Sequence, residues 1–176
     1  METLIALAAV LSVVSFLLKI SFFPRWGKLS AALCLGLMVW LAVPGLTRLS
    51  ATGLAAWTSP DRMLDGAVCV VLEAVLMVLF CFSREERRLQ WLRFYPGLLV
   101  IPAVCWCWTQ VLFSRPGIDF GRFAWIAALV TLALAAGGAF LLPRLVPEQT
   151  VRREGLFLIN LFLLLSTIAA TGAITF

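Results

Sequence analysis

Apolar residues run along this chain in long blocks, separated by short stretches where charge, proline and glycine collect. A block of about 20 apolar residues is the length at which an α-helix crosses the hydrocarbon core of a bilayer. The pattern predicts an all-α bundle of six transmembrane helices, over residues 3–23, 29–46, 63–82, 94–113, 120–142 and 155–175, forming one domain over 1–176. The punctuation fits those bounds. Pro24-Arg25-Trp26-Gly27-Lys28 makes a basic, aromatic turn, and Pro44-Gly45 closes the second block. Ser59-Pro60-Asp61 reads as a helix start, with serine as cap and proline in the first turn. The fourth block carries Pro96-Gly97 at its beginning and Pro102 inside, which predicts a kink. Ser114-Arg115-Pro116-Gly117 is a turn by composition, and Pro143 and Pro147 end the fifth block.

Composition sharpens this picture. Of the 176 residues 62% are hydrophobic and 13% charged. A soluble domain of this size has too little interior for that much apolar surface, so lipid is expected to be part of the solvent. The net charge of +5 is not read as a nucleic-acid footprint, because the basic residues fall in the connections. Lys19, Arg25 and Lys28, then Arg84, Arg87, Arg88 and Arg93, then Arg144, Arg152 and Arg153 lie in the first, third and fifth connections; Arg48, Arg62, Arg115 and Arg122 lie on the other side. The positive-inside rule places the first set in the cytoplasm and both termini outside. Lys19 is expected to snorkel to the headgroups. Met1-Glu2-Thr3 lacks the positive region of a leader, so the first block is expected to stay as a span.

Chemistry is sparse. The chain has no histidine, which excludes bis-histidine haem ligation, His-ligated zinc and a Ser-His-Asp arrangement within it. Cys34, Cys69, Cys81, Cys105 and Cys107 read as small buried hydrophobes. Cys105 and Cys107 are two apart on a helix and face away from each other, so they cannot chelate one metal unless the helix is broken, for which Pro102 offers a local distortion. No metal site, no cofactor and no enzyme activity is expected.

The informative residue is Glu73, near the middle of the third block. An acidic group at that depth costs about 2.5–3.5 kcal/mol on insertion scales, and such groups face the bundle interior and mark ion or proton paths. Asp65, Cys69 and Glu73 follow at i, i+4 and i+8 on one helical face, with Glu73 about 12 Å deeper than Asp65. One reading is proton exchange at Glu73. The other is structural: a hydrogen bond from Glu73 to Gln110, Thr131 or Asn160 on another helix. The fifth block carries Ala124, Ala127 and Ala128 and then Ala133 through Ala139 with Gly137 and Gly138, small residues that allow close helix packing, within one protomer or toward another subunit. Arg84, Arg87 and Arg88 form a solvated cytoplasmic loop or a docking site for a cytoplasmic protein.

Several stretches carry a resemblance: Ser15-Phe16-Leu17-Leu18-Lys19 with Trp26-Gly27; Pro60-Asp61-Arg62-Met63-Leu64-Asp65 followed by Glu73; Phe94-Tyr95-Pro96-Gly97-Leu98-Leu99; Phe113-Ser114-Arg115-Pro116-Gly117; and Leu145-Val146-Pro147-Glu148 followed by Arg153-Glu154. In this order they resemble a family of small polytopic inner-membrane proteins of bacterial haem-uptake operons. That family is encoded beside TolQ/ExbB-like and ExbD-like proton-channel proteins and a chelatase-like protein. The resemblance implies a non-catalytic subunit of a proton-motive-force-driven complex in haem or tetrapyrrole uptake, with those membrane proteins as partners. It transfers no residue roles. A stand-alone small-molecule or ion transporter, with Glu73 and the broken fourth helix lining a path, is the alternative.

Overall fold

The computed structural model describes residues 2–46, 60–82, 92, 94–114, 117 and 119–172. Six helices and no strands occur among them: α1 Glu2–Ile20, α2 Arg25–Leu46, α3 Pro60–Phe82, α4 Val100–Ser114, α5 Phe120–Leu145 and α6 Gln149–Gly172. The all-α reading therefore holds. Two stretches, Arg25–Val43 in α2 and Phe120–Leu145 in α5, are long and apolar enough to cross a membrane; Ile5–Ile20, Gly66–Phe82 and Val100–Ser114 are shorter apolar helices.

Local chemistry sets the boundaries. α1 unwinds through tighter bonds from Phe22 N–H to the Lys19 carbonyl and from Phe23 N–H to the Ile20 carbonyl, and Pro24 starts the next helix by accepting from Lys28 N–H. Pro60 stands at the first position of α3, where its missing N–H costs nothing. Asp119 caps α5, its carboxylate accepting from Gly121 N–H at 3.0 Å. Two helix starts depart from the sequence pattern by six residues: α6 begins at Gln149 rather than at residue 155, and α4 is late. It begins at Val100 rather than at residue 94, because Pro96 and a left-handed Gly97 (φ 98°) keep the preceding residues out of the helix.

α1 is the central helix, packed against α2, α4, α5 and α6. The most extensive pairs are α2 with α5 and α3 with α6. Leu17 lies on Gly138 of α5, while the adjacent Leu18 reaches Gly155 of α6, so the end of α1 wedges between these two helices. The main core joins Phe16 and Ile20 of α1 to Ala32, Leu35 and Val39 of α2, Val104 of α4 and Phe123, Ala127 and Ala135 of α5. A smaller cluster of Leu18, Met77 and Leu156 sits beside Tyr95.

Small residues set the α2–α5 approach, among them Ala124, Ala127 and Ala128, which the sequence pattern points to. Gly36 faces the Ala128 carbonyl and Leu132, each 3.3 Å from where a Cβ would stand. The buried stripe of α5 is Ala124, Ala127, Ala128, Thr131, Ala135 and Ala139. Ala133 and Gly137 are on its exposed side, and a Cβ at Gly137 would meet nothing within 4 Å. Outward faces are strongly apolar: Leu33, Leu37 and Leu41 on α2, Ile126, Leu129 and Leu134 on α5, and Leu158, Phe162 and Leu165 on α6.

This contact predicts a contrast between two substitutions. Gly36→Leu should lower stability in detergent by about 1–3 kcal/mol through overpacking, whereas Gly137→Leu should leave it unchanged or slightly higher. Thermal unfolding of the two purified variants checks this, and equal losses would contradict the assigned stripe.

Candidate functional site

Glu73 lies nine residues before the end of α3, about 13 Å along the helix from Phe82. Its side chain points inward and is only 6% exposed. Past α3 the chain returns into the bundle, so that Tyr95, Pro96 and the buried Gly97 lie against the middle of α3. α4 then starts at the buried Val100, with Leu98 just before it 59% exposed.

A helix that begins in apolar surroundings has a specific problem. Its first N–H groups have no acceptor within the helix, and apolar neighbours offer none. Tyr95-Pro96-Gly97-Leu98-Leu99 contains no Ser, Thr, Asp or Asn to serve as a local cap. Glu73 supplies the acceptor from another helix. Its Oε2 accepts from Leu98 N–H at 2.7 Å, from Leu99 N–H at 2.9 Å and from the Tyr95 hydroxyl at 3.4 Å. The carboxylate thus occupies the position of an N-cap, where the helix dipole also favours negative charge.

Gly97 makes the approach possible. A Cβ there would stand 2.8 Å from Oε1 of Glu73 and 3.2 Å from Cε of Met77, and its backbone already lies in the region that disfavours side chains. The other end of the returning segment is held by a second buried charge. Lys19, with no exposed surface, donates from Nζ to the Leu92 carbonyl at 2.8 Å and stacks over the Phe80 ring. This corrects the expectation that Lys19 snorkels outward. Two buried groups of opposite sign, on α1 and α3, therefore clamp one non-helical stretch.

The remaining sequence candidates are dispersed. Thr131 accepts from Trp108 Nε1 at 2.9 Å, linking α5 to α4. Asn160 donates to the Ser15 hydroxyl at 2.9 Å, linking α6 to α1. Gln110 lies on the exposed side of α4. The acceptor role of Glu73 is thus directed at backbone and Tyr95 rather than at these three residues. Asp65 belongs to α3, but its side chain lies outside the described residues, as do Arg84, Arg87 and Arg88. Cys34 and Cys69 are exposed and the other three cysteines half-buried, which corrects their reading as buried hydrophobes. What sequence reasoning missed was the partner of Glu73. The available signal was a proline-glycine helix start without a cap of its own.

Chemically, the arrangement ties one ionisable group to the position of one helix end. A change in protonation or charge at Glu73 alters the acceptor on which the start of α4 rests. Comparison of the chain with protein-family models, with curated proteins and with solved structures finds no match.

Two variants separate shape from charge at this site. Glu73→Ala should destabilise the protein by about 1–3 kcal/mol for each buried donor it strands, while Glu73→Gln keeps a carbonyl acceptor and should lose much less. Gly97→Ala should cost at least about 1–2 kcal/mol from its backbone alone. Melting temperatures in one detergent rank the three; a Gly97→Ala variant as stable as wild type would contradict the geometry.

Proposed function

We propose that this chain crosses a bacterial inner membrane six times with both termini in the periplasm. We further propose that it is a non-catalytic subunit of an ExbB/ExbD-like complex, driven by the proton-motive force and acting in haem or tetrapyrrole uptake. The observation that carries the reading is the buried Glu73 latch: an exchangeable acid in the bundle interior, bonded to the end of a broken helix. Intramembrane acids of this kind mark coupling and ion sites, and broken helices at membrane depth occur where protein buries their free ends.

Further support comes from the apolar outward faces of α2, α5 and α6, which suit lipid rather than water as solvent. The excess of basic residues in alternate connections supports the orientation. The ordered set of sequence stretches resembling the haem-operon family supports the choice of partners, which are the TolQ/ExbB-like and ExbD-like subunits and the chelatase-like protein. Glu73 would serve as the group through which protonation shifts the start of α4, and the α3–α4 connection bearing Arg84, Arg87 and Arg88 would face cytoplasmic partners.

One observation favours the alternative, a stand-alone permease. A cavity of about 310 Å³, lined by Val10, Val13, Leu17, Val104, Trp108 and Ala135, lies between α1, α4 and α5. Its lining is nearly all apolar, so it suits an acyl chain or an apolar substrate rather than an ion.

Purification from native membranes in mild detergent distinguishes the two. The complex reading predicts stoichiometric recovery of an ExbB-like ring, and loss of growth on haem iron for Glu73→Gln at normal protein abundance. A lone oligomer that moves substrate in proteoliposomes, with Glu73→Gln growing normally, would overturn it.

A further inference from the structure

Four basic residues converge at one end of the bundle, where α1 ends, α2 begins, α5 ends and α6 begins. Lys19 and Arg153 lie close enough to repel each other, as do Lys28 and Arg152. Lys28 is buried and donates from Nζ to the Ala139 carbonyl at 3.2 Å. Arg152 is 6% exposed; it donates from one terminal nitrogen to the Ser21 hydroxyl at 2.9 Å and to the Ser21 carbonyl at 3.5 Å, with its guanidinium 4.9 Å from the Phe22 ring centroid. Arg153 is half-buried near both Phe22 and Phe80.

Among the described residues no acid pairs with this cluster, and the neighbouring Glu148 and Glu154 are exposed. Among the described residues the one ion pair is Arg122 with Asp119, on the exposed start of α5. The Nε atoms of Arg152 and Arg153 are buried and without an acceptor. Position makes the imbalance worse: Arg152 and Arg153 stand in the first two turns of α6, and Lys28 in the first turn of α2, where the helix dipole favours anions. Burying such charges is costly unless an anion completes the arrangement. Arg25 and Trp26 are exposed beside it, a basic-aromatic pairing suited to the interface between acyl chains and headgroups.

We propose that Arg152 and Arg153, with Lys19 and Lys28 behind them, form a binding site for the phosphodiester headgroup of an anionic phospholipid at the end of the bundle assigned to the cytoplasm. Guanidinium groups suit this ligand because they bind phosphate oxygens through paired N–H donors. Basic pockets between helices at a cytoplasmic membrane surface are a recognised solution for such headgroups. The occupant is a lipid rather than free phosphate because the walls are aromatic and apolar, with Phe22, Phe80 and Phe140 beside the cations. The site rests on the membrane reading but not on the identity of any protein partner.

The test uses the full-length protein in neutral detergent, with phosphatidylglycerol, phosphatidylcholine or inorganic phosphate added at equal concentration. Phosphatidylglycerol should raise the melting temperature by about 5 °C, and phosphatidylcholine and inorganic phosphate should not. Arg153→Gln, at the half-buried position, should remove most of that selectivity, and Arg152→Lys should reduce it while preserving the fold. Equal shifts with both lipids, an equal shift with inorganic phosphate, or full selectivity in Arg153→Gln would overturn the proposal. Resistance of the protein to alkaline carbonate extraction is measured alongside. Release by carbonate would sink the membrane reading itself, whereas retention without lipid selectivity would sink this site alone.

Discussion

The structure depends on how two backbone N–H groups are satisfied at an apolar helix start. α4 starts at the buried Val100, and its leading donors at Leu98 and Leu99 have no acceptor within their own segment. Glu73, reaching across from α3, accepts both. Without it the helix end would be an orphan, at a cost of roughly 1–3 kcal/mol for each unpaired group. The carboxylate in turn depends on them, because three donors replace the water it gave up. Each side of the contact makes the other tolerable.

The surrounding features follow from that exchange. Gly97 is where it is because any side chain would collide with the carboxylate, and because its backbone must turn left-handed. Tyr95 contributes a third donor while its ring packs beside Leu18, Met77 and Leu156. Lys19 fixes the far end of the same stretch through the Leu92 carbonyl. α1, which carries Lys19, is also the helix that touches most of the others. The non-helical segment is therefore anchored to the centre of the bundle and to α3 at once, and a disturbance at Glu73 reaches α4 without crossing flexible chain.

Much of this was legible in the sequence, and the gaps have physical causes. Apolar blocks placed four of the six helices within four residues at their described ends, because length and hydropathy dominate helix placement here, while the polar start of α6, Gln149 to Glu154, lay outside its apolar block. The fourth starts six residues late: Pro96-Gly97 was read as part of a kinked span, whereas the helix begins after it, at Val100. Glu73 was legible as a buried acid from its depth alone, but its partners were not. Sequence reasoning sought side chains such as Gln110 and Asn160, while the acceptor went to backbone donors, which every residue carries and no pattern advertises. The small residues Ala124, Ala127, Ala128 and Ala133 through Ala139 pointed to α5 as a packing helix; the structure buries Ala124, Ala127, Ala128, Ala135 and Ala139 and seats Leu17 on Gly138, while Ala133 and Gly137 face outward.

The most direct measurement of the central claim is residue-resolved amide hydrogen exchange at Leu98 and Leu99, with the protein in lipid nanodiscs. If Glu73 caps the start of α4, both amides are strongly protected in the wild type and lose that protection in Glu73→Ala, while amides in the middle of α5 stay protected in both. Fast exchange at Leu98 and Leu99 in the wild type, or unchanged protection in Glu73→Ala, would contradict the account.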